Sequence, residues 1–259
     1  MPFPMAYQQR RIALDGHAVT LAGTALGPQD IAALGSTVVV APHPDDETSA
    51  CGGLIALLRD RNQHVGVVVV TDGGIAREQE ELEALTILGV SPADLSFLRY
   101  RAGKLASQSA DNFDGVVNGL RDAIAAHEPR TVIVPFRADG HADHCATWYL
   151  ARTASRRLPA LPRCLEYPLT MGPSTQAVLQ LQRPAVWKVD ISAVLPRKQR
   201  AIAAYRSQNG ARVLDDPNDV RFSPRLLESA LRGYEGYFEF PEPQTLEGTT
   251  ARGLLGNWR

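Results

Sequence analysis

The sequence predicts an α/β fold: a mainly parallel central sheet with helices on both faces, three layers in all. Three observations predict it. Short continuous runs of β-branched residues recur at 36–42, 65–70 and 131–135, as expected of strands buried on both faces. Segments of helical period separate these runs. Turn formers bound them, so the chain alternates strand and helix in the manner of βαβ units.

Residues 1–35 read as an irregular N-terminal extension with one short helix over 27–34. The first strand follows at 36–42. Leu54, Leu57 and Leu58 then share one face of a helix over 46–61. A second strand at 65–70 ends in Thr71-Asp72-Gly73-Gly74, and a helix over 78–88 stops at Gly89, a residue suited to a left-handed C-cap. A weaker strand is expected at 95–100. Phe113, Val116, Val117, Leu120 and Ile124 recur at helical spacing, which predicts an amphipathic helix facing a core. The strand at 131–135 comes next, then a strand over 184–191 and a helix over 197–206. Residues 241–259, rich in Pro, Gly and Thr, are expected as a surface tail or an arm on a partner subunit. The expected division is therefore 1–35, 36–240 and 241–259.

Composition removes several function classes. The chain has 259 residues, is 44% hydrophobic and 21% charged, and carries a formal net charge of −1. That balance leaves no electrostatic footprint for nucleic acid or an anionic membrane. No run approaches the roughly 20 apolar residues that span a bilayer, so no membrane insertion is expected. Cys51, Cys145 and Cys164 show no Cys-x-x-Cys pairing and read as reduced thiols. The N-terminus has no apolar stretch after its arginines, and a cytoplasmic location is expected.

In open α/β sheets, function collects at the carboxyl ends of the strands. His43-Pro44-Asp45-Asp46-Glu47 lies directly after the first strand, and Asp139-Gly140-His141-Ala142-Asp143-His144 directly after the strand at 131–135. Taken singly, such residues are more often turn residues and helix caps. Two imidazole and carboxylate clusters at two strand ends point instead to a metal. His43, Asp46 and His144 would form a His₂Asp set of the kind that leaves a catalytic zinc one open position. Pro44 is expected to open a helix, placing Asp45, Asp46 and Glu47 in the first turn, where the dipole favours anions. Asp45 then suits a general base, and Asp143 is expected to orient His141 through a carboxylate–imidazole hydrogen bond. His17, His64 and His127 belong to no motif and read as surface residues, and Cys145 reads as a core thiol.

Further motifs sharpen this reading. Ala41-Pro42-His43-Pro44-Asp45-Asp46-Glu47 is followed by Gly52-Gly53, and Thr71-Asp72-Gly73-Gly74 by Arg77, Glu80, Ala84, Leu88 and Gly89. After His141-x-Asp143-His144 come Val189-Asp190-Ile191, Lys198, Ala201, Ala204, Ser207 and Gln208. Across 36–240 the chain resembles the LmbE-like (PIG-L) family of zinc-dependent N-acetylglucosaminyl deacetylases. The resemblance implies a Rossmann-like fold and one Zn²⁺ per chain on His43, Asp46 and His144, although other divalent transition metals fit the same donors. It implies that Asp45 is the base, that His141 stabilises the oxyanion or protonates the leaving amine, and that Glu47 and Arg77 contact the sugar. The expected activity is removal of an acyl group, in the first place acetyl, from the amino nitrogen of an N-acetylglucosamine-like small molecule. The alternatives are an amidase acting on a non-sugar acyl amine and a metal-dependent phosphoesterase. Self-association through the terminal extensions stays open.

Two departures from the family pattern leave the chemistry intact, and the second bears on substrate recognition. Ala142 replaces the family's usual proline, and Ala102 stands where members often carry an aspartate. Arg99 and Arg101, near that second position, are candidates to meet an anionic group on the substrate.

Overall fold

The valine-rich runs become strands because both of their faces are covered. In a computed structural model, which describes residues 24–169, 173–208 and 224–241 together with 14–15 and 18–19, the elements follow in this order. They are β1 (Leu14–Asp15), β2 (Ala18–Val19), β3 (Thr24–Ala25), α1 (Pro28–Ala33), β4 (Thr37–Ala41), α2 (Asp46–Arg59), β5 (Val65–Thr71), α3 (Gly74–Leu88), β6 (Leu95–Tyr100), α4 (Leu105–Asp111), α5 (Phe113–Ala125), β7 (Thr131–Pro135), α6 (Ala142–Ser155) and β8 (Arg163–Tyr167). After these come α7 (Pro173–Gln182), β9 (Ala185–Asp190), α8 (Leu195–Ala203), α9 (Pro224–Ala230) and β10 (Tyr234–Glu239). β1 and β2 pair only with each other, and the remaining strands form one sheet in the order β3-β9-β10-β8-β7-β4-β5-β6.

All pairings among β8, β7, β4, β5 and β6 are parallel. β10 runs antiparallel between β8 and β9. Alternation along the buried strands fills two cores. Val39, Ala41, Val67 and Val69 face the side covered by α2, α3 and α8, whereas Val38, Val40, Val68 and Val70 face α5 and α6. Each fully buried valine of this kind contributes about 1.5–3 kcal/mol relative to exposure.

The strand order decides where a site can form. From β4 the chain moves outward to β5 and β6, then returns to β7 on the other side of β4 and continues to β8. The loops leaving β4 and β7 therefore turn to opposite faces, and a crevice opens between them at this switch point. These are the loops that carry the two clusters.

Several elements depart from the sequence reading. Residues from Thr24 onward belong to the folded unit: β3 pairs with β9, and Leu26, Ile31 and Leu34 are buried in the core. A two-residue strand is too short to show periodicity, so the pattern hid it. β10 was not expected as a strand because it buries a charge, Glu235, in mid-sheet. Pro44 lies outside α2, which begins at Asp46 with Asp45 as its N-cap. The expected tail beyond residue 241 and His17 lie outside the described residues. Cys51 and Cys145 are buried and Cys164 is half-buried, all with free thiols. Among the described residues, no helix is long and apolar enough to cross a membrane.

Candidate active site

β4 ends at Ala41, and the loop that follows turns sharply before α2. Asp45 sits at φ 111°, a left-handed conformation that costs a non-glycine residue about 1–3 kcal/mol unless its surroundings enforce it. Arg77, reaching from α3, is one such constraint: its Nη2 donates to Pro44 O at 2.9 Å and to Asp45 Oδ2 at 3.1 Å. The turn leaves Asp46 at the start of α2, where Asp46 Oδ2 accepts from the His43 backbone N–H at 3.0 Å. The same oxygen lies 3.1 Å from His43 Nδ1 and 3.3 Å from His144 Nε2. One carboxylate oxygen thus joins the two loops, which leave neighbouring strands.

The second loop is built around α6. His141 is its N-cap, and its imidazole Nδ1 accepts from the Asp143 backbone N–H at 3.1 Å. An accepting Nδ1 leaves the ring hydrogen of the neutral imidazole on Nε2, so His141 can donate outward. The ring is exposed at the mouth of the site. The carboxylate of Asp143 does not meet His141, as the sequence suggested. It lies 3.1 Å from His43 Nε2 and accepts from the backbone N–H groups of Gly103 (2.6 Å) and Leu105 (3.3 Å). Asp143 therefore fastens the β6–α4 loop to His43. The helix start directs its backbone N–H, rather than its side chain, at His141.

His43, His141 and His144 have ring centroids 4.9–5.3 Å apart, and each offers one nitrogen within 4.8 Å of the others. His144 Nδ1 lies 3.3 Å from Asp139 Oδ1, an oxygen that also accepts from the His141 N–H at 2.9 Å. Sequence reasoning assigned Asp139 no role. The available signal was its position two residues before His141, in a cluster where imidazoles need a carboxylate to orient them.

Electrostatics separate the carboxylates. Burial raises the Asp45 carboxyl, and the Asp46 charge adds to it; together they outweigh Arg77 and bring it to about 7. Burial also works to raise Asp46, yet His144 and His43 hold it well below the usual carboxylate range. Burial opposes the charge on His43, but Asp143 and Asp46 hold its pKa up to about 9. His144, likewise opposed by burial, is carried by Asp46 and Asp139 to about 10. The donor set fits a divalent ion: imidazole nitrogens and an anionic carboxylate of zinc type converge on one point.

The remaining sequence candidates separate. Arg77 faces the site through Asp45. Glu47 has no exposed surface; its Oε1 accepts from Thr48 Oγ1 (2.5 Å) and lies 3.1 Å from the Tyr205 hydroxyl, away from solvent. Burial, with the Glu47 charge next, raises the neighbouring Glu81 carboxyl well above its ordinary value. Arg99 makes a bidentate pair with Glu78 at 2.7 and 2.9 Å, and Arg101 is exposed in the loop that Asp143 anchors.

Residues 38–155 match the family model described as "PIG-L: GlcNAc-PI de-N-acetylase". The chain is 29% identical over 196 residues to a Bacillus cereus protein named "Probable N-acetyl-alpha-D-glucosaminyl L-malate deacetylase 2", covering 69% of this chain and 86% of that one. It is 27% identical over 211 residues to the 2'-N-acetylparomamine deacetylase of Streptomyces fradiae, covering 67% and 74%. Its fold is shared by the N,N'-diacetylchitobiose deacetylase of Pyrococcus horikoshii, with a TM-score of 0.55, 22% identity and coverage of 82% and 86%. The matched stretch, residues 38–155, is a PIG-L family domain, and the Bacillus and Streptomyces relatives are both named as deacetylases, hydrolases that act on amide bonds.

Proposed function

We propose that this chain removes an acetyl group from the amino nitrogen of an N-acetylglucosamine-like sugar or sugar conjugate, using one divalent ion, zinc in the first place. The observation that carries the proposal is the meeting of His43, Asp46 and His144 at the switch point, with Asp45 and His141 flanking them. The relatives' names supply the substrate class, since two of them are named for deacetylation of N-acetylated amino sugars.

His43, Asp46 and His144 would hold the ion. Bound there, it would supply Lewis acidity to the acyl carbonyl and a water of lowered pKa. The work of the chain's own residues follows from their positions. Asp45, held by Arg77 and the strained turn, accepts the proton of the attacking water. His141 donates from Nε2 to the developing oxyanion or to the departing amine, its ring fixed by the Asp143 N–H. Asp139 orients His144, and Asp143 orients His43 while anchoring the β6–α4 loop. Arg77 acts on the base rather than on the sugar, and Glu47 supports the wall behind Asp46.

The test is amine release from a panel of N-acetylglucosaminides and non-sugar N-acetyl amines, with metal-replete and chelated protein. Release from the glucosaminides that depends on metal supports the proposal. Release confined to non-sugar amides would replace the substrate class, and activity that survives chelation would remove the metal.

A further inference from the structure

A second cluster of metal-ligating side chains lies at the amino ends of the strands, opposite the candidate active site. His64 directly precedes β5, Asp94 directly precedes β6, and His127 lies in the connection from α5 to β7. β5 and β6 are parallel neighbours, with Val67 paired to Leu95, so the residues entering them come together at one edge. His64 Nε2 stands 3.0 Å from His127 Nδ1, with the rings stacked at a centroid distance of 5.2 Å. Asp94 Oδ2 lies 4.0 Å from His64 Nδ1. Each of the three offers one ligand atom within 4.8 Å of the others, and all are only partly buried. The sequence reads His64 and His127 as surface residues that belong to no motif; both keep some exposure, yet they meet across 63 residues of chain.

The backbone is shaped around this pair. The His127 ring lies against Gly66 of β5, where a Cβ would come within 2.5 Å of it. Glycine inside a strand weakens it and marks a close approach, here that of an imidazole. The carbonyl of His64 accepts from the Thr37 N–H at 3.0 Å, and that of His127 from Ser36 Oγ at 2.7 Å. Both imidazoles are therefore carried on anchored backbone.

We propose that His64, His127 and Asp94 form a second metal site, which takes an imidazole-preferring divalent ion of the zinc class and ties the three connections together. Nitrogens bound to a tetrahedral zinc at about 2.0–2.1 Å stand roughly 3.3 Å apart, so the imidazoles need to open by only a few tenths of an ångström. At 3.0 Å the two nitrogens now stand as a hydrogen-bonded pair, which the ion would replace. Asp94 would bring an anionic oxygen from a short 3₁₀ turn over 92–94; its Oδ2 now faces the other His64 nitrogen, Nδ1, and has to swing towards Nε2 to join the ion.

The experiment compares full-length wild type, His64→Asn and Asp94→Asn after equilibration with Zn²⁺, measuring zinc per chain, thermal midpoint and amide hydrolysis. Wild type is expected to hold one more zinc than His64→Asn, and zinc to raise its midpoint further. Asp94→Asn should weaken the second ion by more than about tenfold. Mg²⁺ should have no such effect, because it prefers oxygen ligands. Hydrolysis should be equal in all three proteins. Equal zinc content in wild type and His64→Asn, or a second zinc insensitive to both substitutions, overturns the proposal.

Discussion

Asp45 and Asp46 are adjacent in sequence yet differ in charge behaviour because they face different partners. Asp46 is gripped by two imidazoles, whereas Asp45 faces Asp46 and a single guanidinium. Asp45→Asn is expected to retain the ion and abolish turnover. His141→Ala should lower turnover about 10²–10³-fold, as loss of an oxyanion partner does, and also stay metal-loaded. Metal content beside rate measures both, and loss of the ion in either variant would reassign the residue. A pH effect follows from His43 and His144. Their pKa values, about 9 and about 10 without metal against an ordinary 6.5, mean that both are protonated at pH 8. Metal uptake there should release one proton from each. Calorimetry in two buffers of different ionisation enthalpy reads this directly, and buffer-independent heats would contradict it. The raised values also stabilise the metal-free protein fully below about 6.5, and that contribution is lost as pH rises through 9 to 10.

At the scale of elements, α2 is held by a buried charge pair. Lys198 of α8 donates to Glu235 Oε1 at 2.7 Å, and both Glu235 oxygens accept from α2, from Gly53 N–H at 2.7 Å and Leu54 N–H at 2.8 Å. Lys198→Ala leaves a carboxylate buried without its cation and is expected to cost about 3–5 kcal/mol in denaturant unfolding. Gly53→Ala drives a methyl to within 2.5 Å of Ile191 Cγ2 and should cost about 1–3 kcal/mol by overpacking. A loss under about 0.5 kcal/mol in either variant would show that α2 can shift without penalty. Lys198 and Gly53 were visible in the sequence only as parts of a motif; their partners come from β10 and from the residue after β9. Glu235 could not be found by pattern, since a charged residue in a buried strand runs against the alternation that reveals strands. The three valine-rich strands were legible for the opposite reason: burial on both faces leaves an uninterrupted apolar run.

At the scale of the molecule, site and fold are one problem. The motifs at 43–47 and 139–144 were legible because each follows a buried strand, but nothing local states that β4 and β7 are neighbours. The order of strands does, and it turns two separate loops into one centre. What stayed hidden were contacts that cross between elements. Asp143 reaches His43 rather than His141, Arg77 holds Asp45, and the Glu47 side chain turns inward to Tyr205. The most direct test of the shared centre is anomalous diffraction at the zinc edge from crystals of zinc-loaded protein. A single ion bonded to both His43 and His144 at the carboxyl ends of β4 and β7 is expected there. An ion bonded to one of these imidazoles while the other turns away, or no ion between them at all, would contradict the convergence of the two loops.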